Sequence, residues 1–246
     1  MQLGWIIFFG ILGSVGALAA AALLLLLGKN ARHFLIPCLV SYATGTLLGG
    51  AFLGLIPHAL EHAEASSVLA TVLVGVVLFF VLEKLVLWRH CHDQECEVHG
   101  TAGPLILLGD AFHNFTDGVV IAAAFLSSTP LGIATGLAII AHEIPQEVGD
   151  FAILLDTGYS RARAFQYNVI SSLITLPGGI LAYFSLSSVQ RVVPYILALS
   201  GASFLYIAIA DLIPSLHRQT SLGASLRQLF LMLAGIGTIV LFHLHC

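Results

Sequence analysis

Charge is scarce in this chain. Asp, Glu, Lys and Arg together make up 9% of its 246 residues, where an ordinary soluble domain carries roughly a quarter. The nine Lys and Arg are dispersed. No basic cluster exists to neutralise a row of phosphates, and nucleic-acid binding is thereby excluded. A phosphate-cradling G-x-x-x-x-G-K-[ST] loop is missing as well, so no internal ATPase supplies energy. Cysteine is sparse. Cys38 falls in an apolar run, Cys91 and Cys96 in one connection and Cys246 at the far end, so no pair shares an oxidising compartment and no disulfide is expected. Segments of ~10 residues that alternate apolar and polar, the mark of a membrane β-barrel, are also lacking.

Apolar residues fill the space that charge leaves. Hydrophobic side chains make up 58% of the chain and the mean hydropathy is +0.99. Disorder is excluded by that balance, and a soluble core of this size could not hide so much apolar surface. An all-α integral membrane protein is expected. A hydrocarbon core of ~30 Å needs helices of ~20 apolar residues. Eight such runs are present: 3–27, 35–57, 67–88, 103–126, 130–155, 164–185, 192–214 and 226–244. Residues 1–246 then form a single polytopic membrane domain. The first run opens Met1-Gln2-Leu3-Gly4 without a positive segment, and its basic residues Lys29 and Arg32 follow it, unlike a signal peptide. Lys84, Arg89, Arg161, Arg163, Arg218 and Arg227 fall on the same side as those two, and only Arg191 falls on the other. The positive-inside rule then gives an eight-transmembrane-helix bundle with both termini extracytoplasmic. A faint echo between helices 1–3 and 6–8, around helices 4–5, has the form of an inverted repeat. Gly45, Gly49, Gly50 and Gly54 give the second helix a small-residue seam, for either a sliding contact within the protomer or a homodimer interface.

Two runs contain what a membrane disfavours. In the fourth, Asp110, His113, Asn114 and Asp117 share one helical face; in the fifth, His142, Gln146 and Asp150 share a stripe with Glu143 and Glu147 beside it. Only Ser127-Ser128-Thr129-Pro130 joins the runs, so the helices are expected to be antiparallel neighbours with facing polar stripes. Each charge at the bilayer centre costs about 2.5–3.5 kcal/mol on the lenient insertion scale. No Lys or Arg lies in either run to pair with the five acids, so external cations must neutralise them. His and Asn among carboxylates is the donor mix of borderline divalent metals rather than of hard Mg²⁺ or Ca²⁺. Pro145 frees the carbonyl of Ala141 by lacking an N–H, and broken helices at that depth are where transporter sites lie.

His113-Asn114-Phe115-Thr116-Asp117-Gly118 followed by His142-Glu143-Ile144-Pro145-Gln146-Glu147-Val148-Gly149-Asp150 resembles the paired signature of the ZIP family, the Zrt- and Irt-like divalent metal transporters. The resemblance extends to Gly45–Gly50 and Leu55–Ala59 in the second run and to Phe204–Pro214 in the seventh. It implies a binuclear metal site between helices 4 and 5, transport of zinc or a similar ion (Cd²⁺, Fe²⁺, Mn²⁺) into the cytoplasm, and an elevator-like or rocking movement. It assigns His113, Asp117, His142 and Gln146 to one metal, and Asn114, Asp117, Glu143 and Gln146 to the other. The family usually has His or Glu where this chain has Gln146, whose neutral amide is a weaker ligand. Asp110, Glu147, Asp150, Asn168 and Thr175 are candidates for additional or supporting contacts. No organic cofactor is implied.

Further out, His58, Glu61 and His62 share the outer end of the second helix, suited to gathering cations at an entrance. The cytoplasmic connection 89–102 holds His90, Cys91, His92, Cys96 and His99, a composition suited to handing metal on. Two rival functions stay open. One is an intramembrane zinc hydrolase, because His142-Glu143 begins an H-E-x-x-H pattern, though Gln146 stands where its second His would be. The other is an ion-coupled carrier of an organic solute, with the acids as proton relays. With neither a large ectodomain nor a long His-rich insertion in view, the membrane is expected to be a cell membrane of inner or plasma type.

Overall fold

A computed structural model describes residues 1–88 and 102–244, which form helices joined by short turns and no strand among the described residues. The long helices are α1 (Gln2–Leu26), α2 (Lys29–His62), α3 (Ala65–Trp88), α4 (Ala102–Ser127), α5 (Thr129–Asp156), α6 (Arg161–Ser188), α7 (Gln190–Leu216) and α8 (Leu222–Leu244). Six of them, α1, α2, α3, α6, α7 and α8, are long and apolar enough to cross a membrane. The other two, α4 and α5, reach 26 and 28 residues, ample for a ~30 Å core at 1.5 Å per residue. What sets them apart is the polar stripes they carry. His90, Cys91, His92, Cys96 and His99 lie outside the described residues, as does Cys246. Cys38 is a free thiol whose Sγ donates to the Phe34 carbonyl at 3.1 Å.

The bundle divides into two sets. The α2 helix lies along α8 and α3 along α7, while α4 lies along α6, with α1 against both and against α5. Each set is pinned where glycines let backbones touch. A Cβ on Gly45 would stand 2.0 Å from the Met232 carbonyl oxygen, and one on Gly235 2.4 Å from that of Tyr42, closing α2 on α8. A Cβ on Gly118 would stand 2.0 Å from the Thr175 carbonyl oxygen, and one on Gly178 2.3 Å from that of Phe115, closing α4 on α6. Gly50 instead meets Phe204 and Gly54 meets Leu131. The glycine seam of α2 thus packs within the protomer along its length.

Prolines shape two helices alike. Short π-helical stretches cover Gly50–Leu55 in α2 and Ile207–Leu212 in α7, each followed by Ile-Pro, at Pro57 and Pro214. A proline offers no N–H to the carbonyl four residues earlier, here Leu53 and Ala210, and a wider turn absorbs the missing rung.

The buried core is uneven. Leu55, Ile56, Ala59, Ile121, Phe125, Leu131, Ala138, Leu197 and Phe204 pack together in the half of the bundle nearer the α4–α5 turn. Trp5 stacks on Phe125 with ring centroids 6.3 Å apart, and the Gln2 side-chain amide donates to the Phe125 carbonyl at 3.0 Å, closing that end. The opposite half, toward the α1–α2, α5–α6 and α7–α8 connections, is looser and contains a cavity.

Candidate metal centre

The site rests on α4 and α5. Only Ser128 separates them, and its hydroxyl accepts from the Leu131 amide at 3.3 Å while Pro130 occupies the first turn, so α5 starts with its N-terminal donors partly met. The tight turn makes the two helices antiparallel neighbours and brings their polar stripes together.

Four donor atoms converge there. His113 Nε2 lies 3.2 Å from His142 Nε2, 3.3 Å from Glu143 Oε1 and 3.8 Å from Asp117 Oδ2. His142 Nε2 lies 3.3 Å from Asp117 Oδ2 and 3.8 Å from Glu143 Oε1. All four atoms are within 4.8 Å of one another. With zinc–donor bonds of about 2.0–2.1 Å, the corners of a tetrahedral shell stand roughly 3.3 Å apart. The cluster is therefore close to the size such an ion demands. His142 is oriented by its own helix: Nδ1 stands 3.0 Å from the Ala138 carbonyl, which can only accept, so Nδ1 holds the proton and Nε2 turns its lone pair inward. Asp117, His142 and Glu143 are almost wholly buried, whereas the His113 side chain is 17% exposed and forms the open edge.

Beside the four atoms stands a second polar group. The Asn114 amide donates to Asp110 Oδ1 at 2.9 Å and to its carbonyl at 3.1 Å, and Gln146 Nε2 donates to the same Oδ1 at 3.4 Å. From α6, Thr175 Oγ1 donates to Asn114 Oδ1 at 3.0 Å, the Ser172 hydroxyl donates to the Glu147 carboxylate, and Asn168 Nδ2 reaches the Glu147 carbonyl at 3.5 Å. Asn114 and Gln146 are thus engaged by Asp110. Oxygens of Asp110, Asp117, Glu143, Glu147 and Asp150 are buried without a hydrogen-bond partner among the described residues. Buried acceptors of this kind are costly unless something positive meets them.

A cavity of about 730 Å³ runs from this site toward the end of the bundle opposite the α4–α5 turn. Its walls include Asp110, His113, His142, Gln146 and Asp150, and across from them Glu83, Tyr206 and Asp211. The Tyr206 hydroxyl donates to the Glu83 carboxylate, joining α7 to α3. Glu83 and Tyr206 had not stood out in the sequence. Their signal was slight: one acid a single residue from Lys84, where apolar helices ordinarily end in charge, and one Tyr in an apolar run. At the other end of α2, His58, Glu61 and His62 also gather their donor atoms within 4.8 Å.

A family model described as ZIP Zinc transporter matches residues 88–243. Zinc transporter ZIP13 of Pongo abelii is 36% identical over 84% of this chain and 66% of its own length. Zinc transporter ZIP13 of Homo sapiens is 31% identical over 89% of this chain and 74% of its own length. Zinc transporter ZIP10 of Danio rerio is 36% identical over 61% of this chain, which spans only 19% of that longer protein. With a matching family model over more than half its length, converging His and acid residues, and six helices fit to cross a bilayer, this chain is a multi-pass integral membrane protein that belongs to the ZIP family.

Proposed function

We propose that the chain moves divalent transition-metal ions, zinc foremost, across the membrane into the cytoplasm through the site between α4 and α5. The observation that carries this is the convergence of His113 Nε2, His142 Nε2, Asp117 Oδ2 and Glu143 Oε1 deep in the bundle, at the inner end of an open cavity. In this reading all of α1 to α8 span the bilayer with both termini outside, because eight of the nine basic residues then face the cytoplasm. The cavity opens on that side, and the packed half around Phe125 and Leu131 closes the other. The repeated π-helical stretch and Ile-Pro of α2 and α7 support an inverted repeat of helices 1–3 and 6–8. A second ion of a binuclear site would draw on Asn114, Asp117, Glu143 and Gln146, with Asp110, Glu147, Asp150, Asn168 and Thr175 around them. Cd²⁺, Fe²⁺ and Mn²⁺ are alternative cargo for the same donors. The connection 89–102 would receive the ion on release, and the exposed apolar faces of α3 and α8 suit lipid or a second copy of the chain. The setting is a cell membrane of inner or plasma type.

A hydrolase reading is less well supported. Glu143, which would have to act as general base, is itself one of the four converging donors. The test of the transport reading is uptake into liposomes loaded with a metal-sensing dye. Parent protein admits Zn²⁺, and Asp117→Ala and His142→Ala lose at least 10-fold in rate, as loss of a ligating or supporting group at a metal site does. Uptake by either variant at the parent rate would defeat the assignment.

A further inference from the structure

The end of α2 farthest from the cavity reads His58-Ala59-Leu60-Glu61-His62. Residues four apart on a helix share a face, which is the spacing at which paired imidazoles grip zinc. The two rings here stack with centroids 4.5 Å apart and planes 26° from parallel, and His58 Nδ1 stands 3.9 Å from Glu61 Oε2. His62 Nδ1 lies 2.9 Å from the His58 carbonyl, an obligate acceptor, so its proton is fixed there and Nε2 presents a lone pair.

Glu64 is the nearest further acid, and it is committed elsewhere. Its carboxylate accepts from the amides of Ser66 and Ser67 at 3.2 and 3.1 Å and from both hydroxyls, capping the start of α3. Those hydrogen bonds, that of the Ser66 side chain foremost, hold it down to about 2. The cluster is therefore two imidazoles and one carboxylate. Such a set favours borderline divalent ions and is poor for Mg²⁺ or Ca²⁺, which take oxygen shells. Below it the layer of Leu55, Ile56, Ala59, Leu131 and Leu197 is buried and apolar, so the cluster is separated from His142 by packed hydrocarbon.

We propose that His58, Glu61 and His62 form a second, outer binding site for a borderline divalent cation such as Zn²⁺, which holds the ion until the apolar layer beneath it parts. Binding at this site stands by itself, whereas its role in delivery rests on the transport reading above. A site that feeds the inner donors raises the ion concentration at the mouth, so it lowers KM and leaves kcat alone.

The experiment uses the full chain in lipid nanodiscs. In a His113→Ala/His142→Ala background, adding His58→Ala/His62→Ala lowers the zinc bound, read by calorimetry, by one residual ion per chain, and Mg²⁺ does not compete for that ion. In liposomes, His58→Ala/His62→Ala with the inner site intact raises KM for zinc about tenfold, the lower end of what disturbing a metal site costs, with kcat within twofold of the parent. Absence of the residual ion, its persistence after the outer histidines are removed, or a fall in kcat at constant KM each overturns the proposal. Should the inner double variant fold poorly, zinc stoichiometry is read on the parent instead. It must fall by one ion per chain on removing His58 and His62, and an unchanged stoichiometry overturns the site. Because binding is measured without transport, a parent that binds at the outer site yet moves no zinc refutes the transport reading and leaves this site standing.

Discussion

Replacing Gly118 by Ala separates close packing from helix propensity. The new Cβ would stand 2.0 Å from the Thr175 carbonyl oxygen and 2.6 Å from the Gly179 nitrogen, both backbone atoms that cannot rotate away. Ordinary contact begins near 3.4 Å, so α4 and α6 must part by more than an ångström. Overpacking of this kind costs about 1–3 kcal/mol, and the gain in helix propensity returns only about 0.5–1 kcal/mol. Gly118→Ala is thus destabilising by roughly 1–2 kcal/mol on balance. Gly109, on the same helix, has nothing within 4 Å of its would-be Cβ, so Gly109→Ala gains the propensity term alone and melts above the parent. At about 2–4 °C per kcal/mol for a chain of this size, the two variants straddle the parent with melting points several degrees apart. Thermal unfolding of the detergent-solubilised proteins, followed by intrinsic fluorescence, reads this directly. A Gly118→Ala protein that melts at or above the parent would show that α4 and α6 are not in backbone contact. Zinc uptake adds a second readout, because parting the helices draws Thr175 away from Asn114.

Two further outcomes follow from hydrogen bonds to buried or capping carboxylates. Ser172→Ala removes the only hydrogen-bond donor to the Glu147 carboxylate among the described residues and leaves that buried group unmet, at a cost of about 1–3 kcal/mol in unfolding free energy, measured by thermal or denaturant melts. Glu64→Ala uncaps α3, so amide hydrogen exchange at residues 66–68 speeds up at neutral pH. Because hydrogen bonding holds the Glu64 carboxyl down to about 2, its contribution is complete above the ordinary carboxylate range and fades only as pH falls toward 2. Parent and variant should therefore converge in strong acid and differ at pH 7.

Much of the site was legible in the sequence, because charges in lipid are too costly to be incidental. Asp117, His113, His142 and Glu143 could be placed on facing stripes by counting three and four residues, and the structure brings those four together. Asn114 and Gln146 were harder. Whether they face an ion or a neighbouring acid depends on Asp110, which competes for both amides, and spacing carries no information about that competition. Glu83 and Tyr206 escaped notice because their partnership is formed only when α3 and α7 are laid side by side. Among the elements, α4 and α5 looked like membrane spans by length, yet their own functional residues lower their apolarity below that of the other six. The π-helical stretches of α2 and α7 had no signature beyond Pro57 and Pro214, since a wider turn answers to a missing N–H and not to a hydrophobic period.

The single residue between α4 and α5 has a mechanical consequence. Joined through Ser128 alone, the two helices are a pair of tongs riveted at one end, with His113 and Asp117 on one arm and His142 and Glu143 on the other. Tongs so riveted travel as one tool. In the transport reading proposed above, the two arms would therefore move together, and access to the donors would change at the walls of the cavity around them.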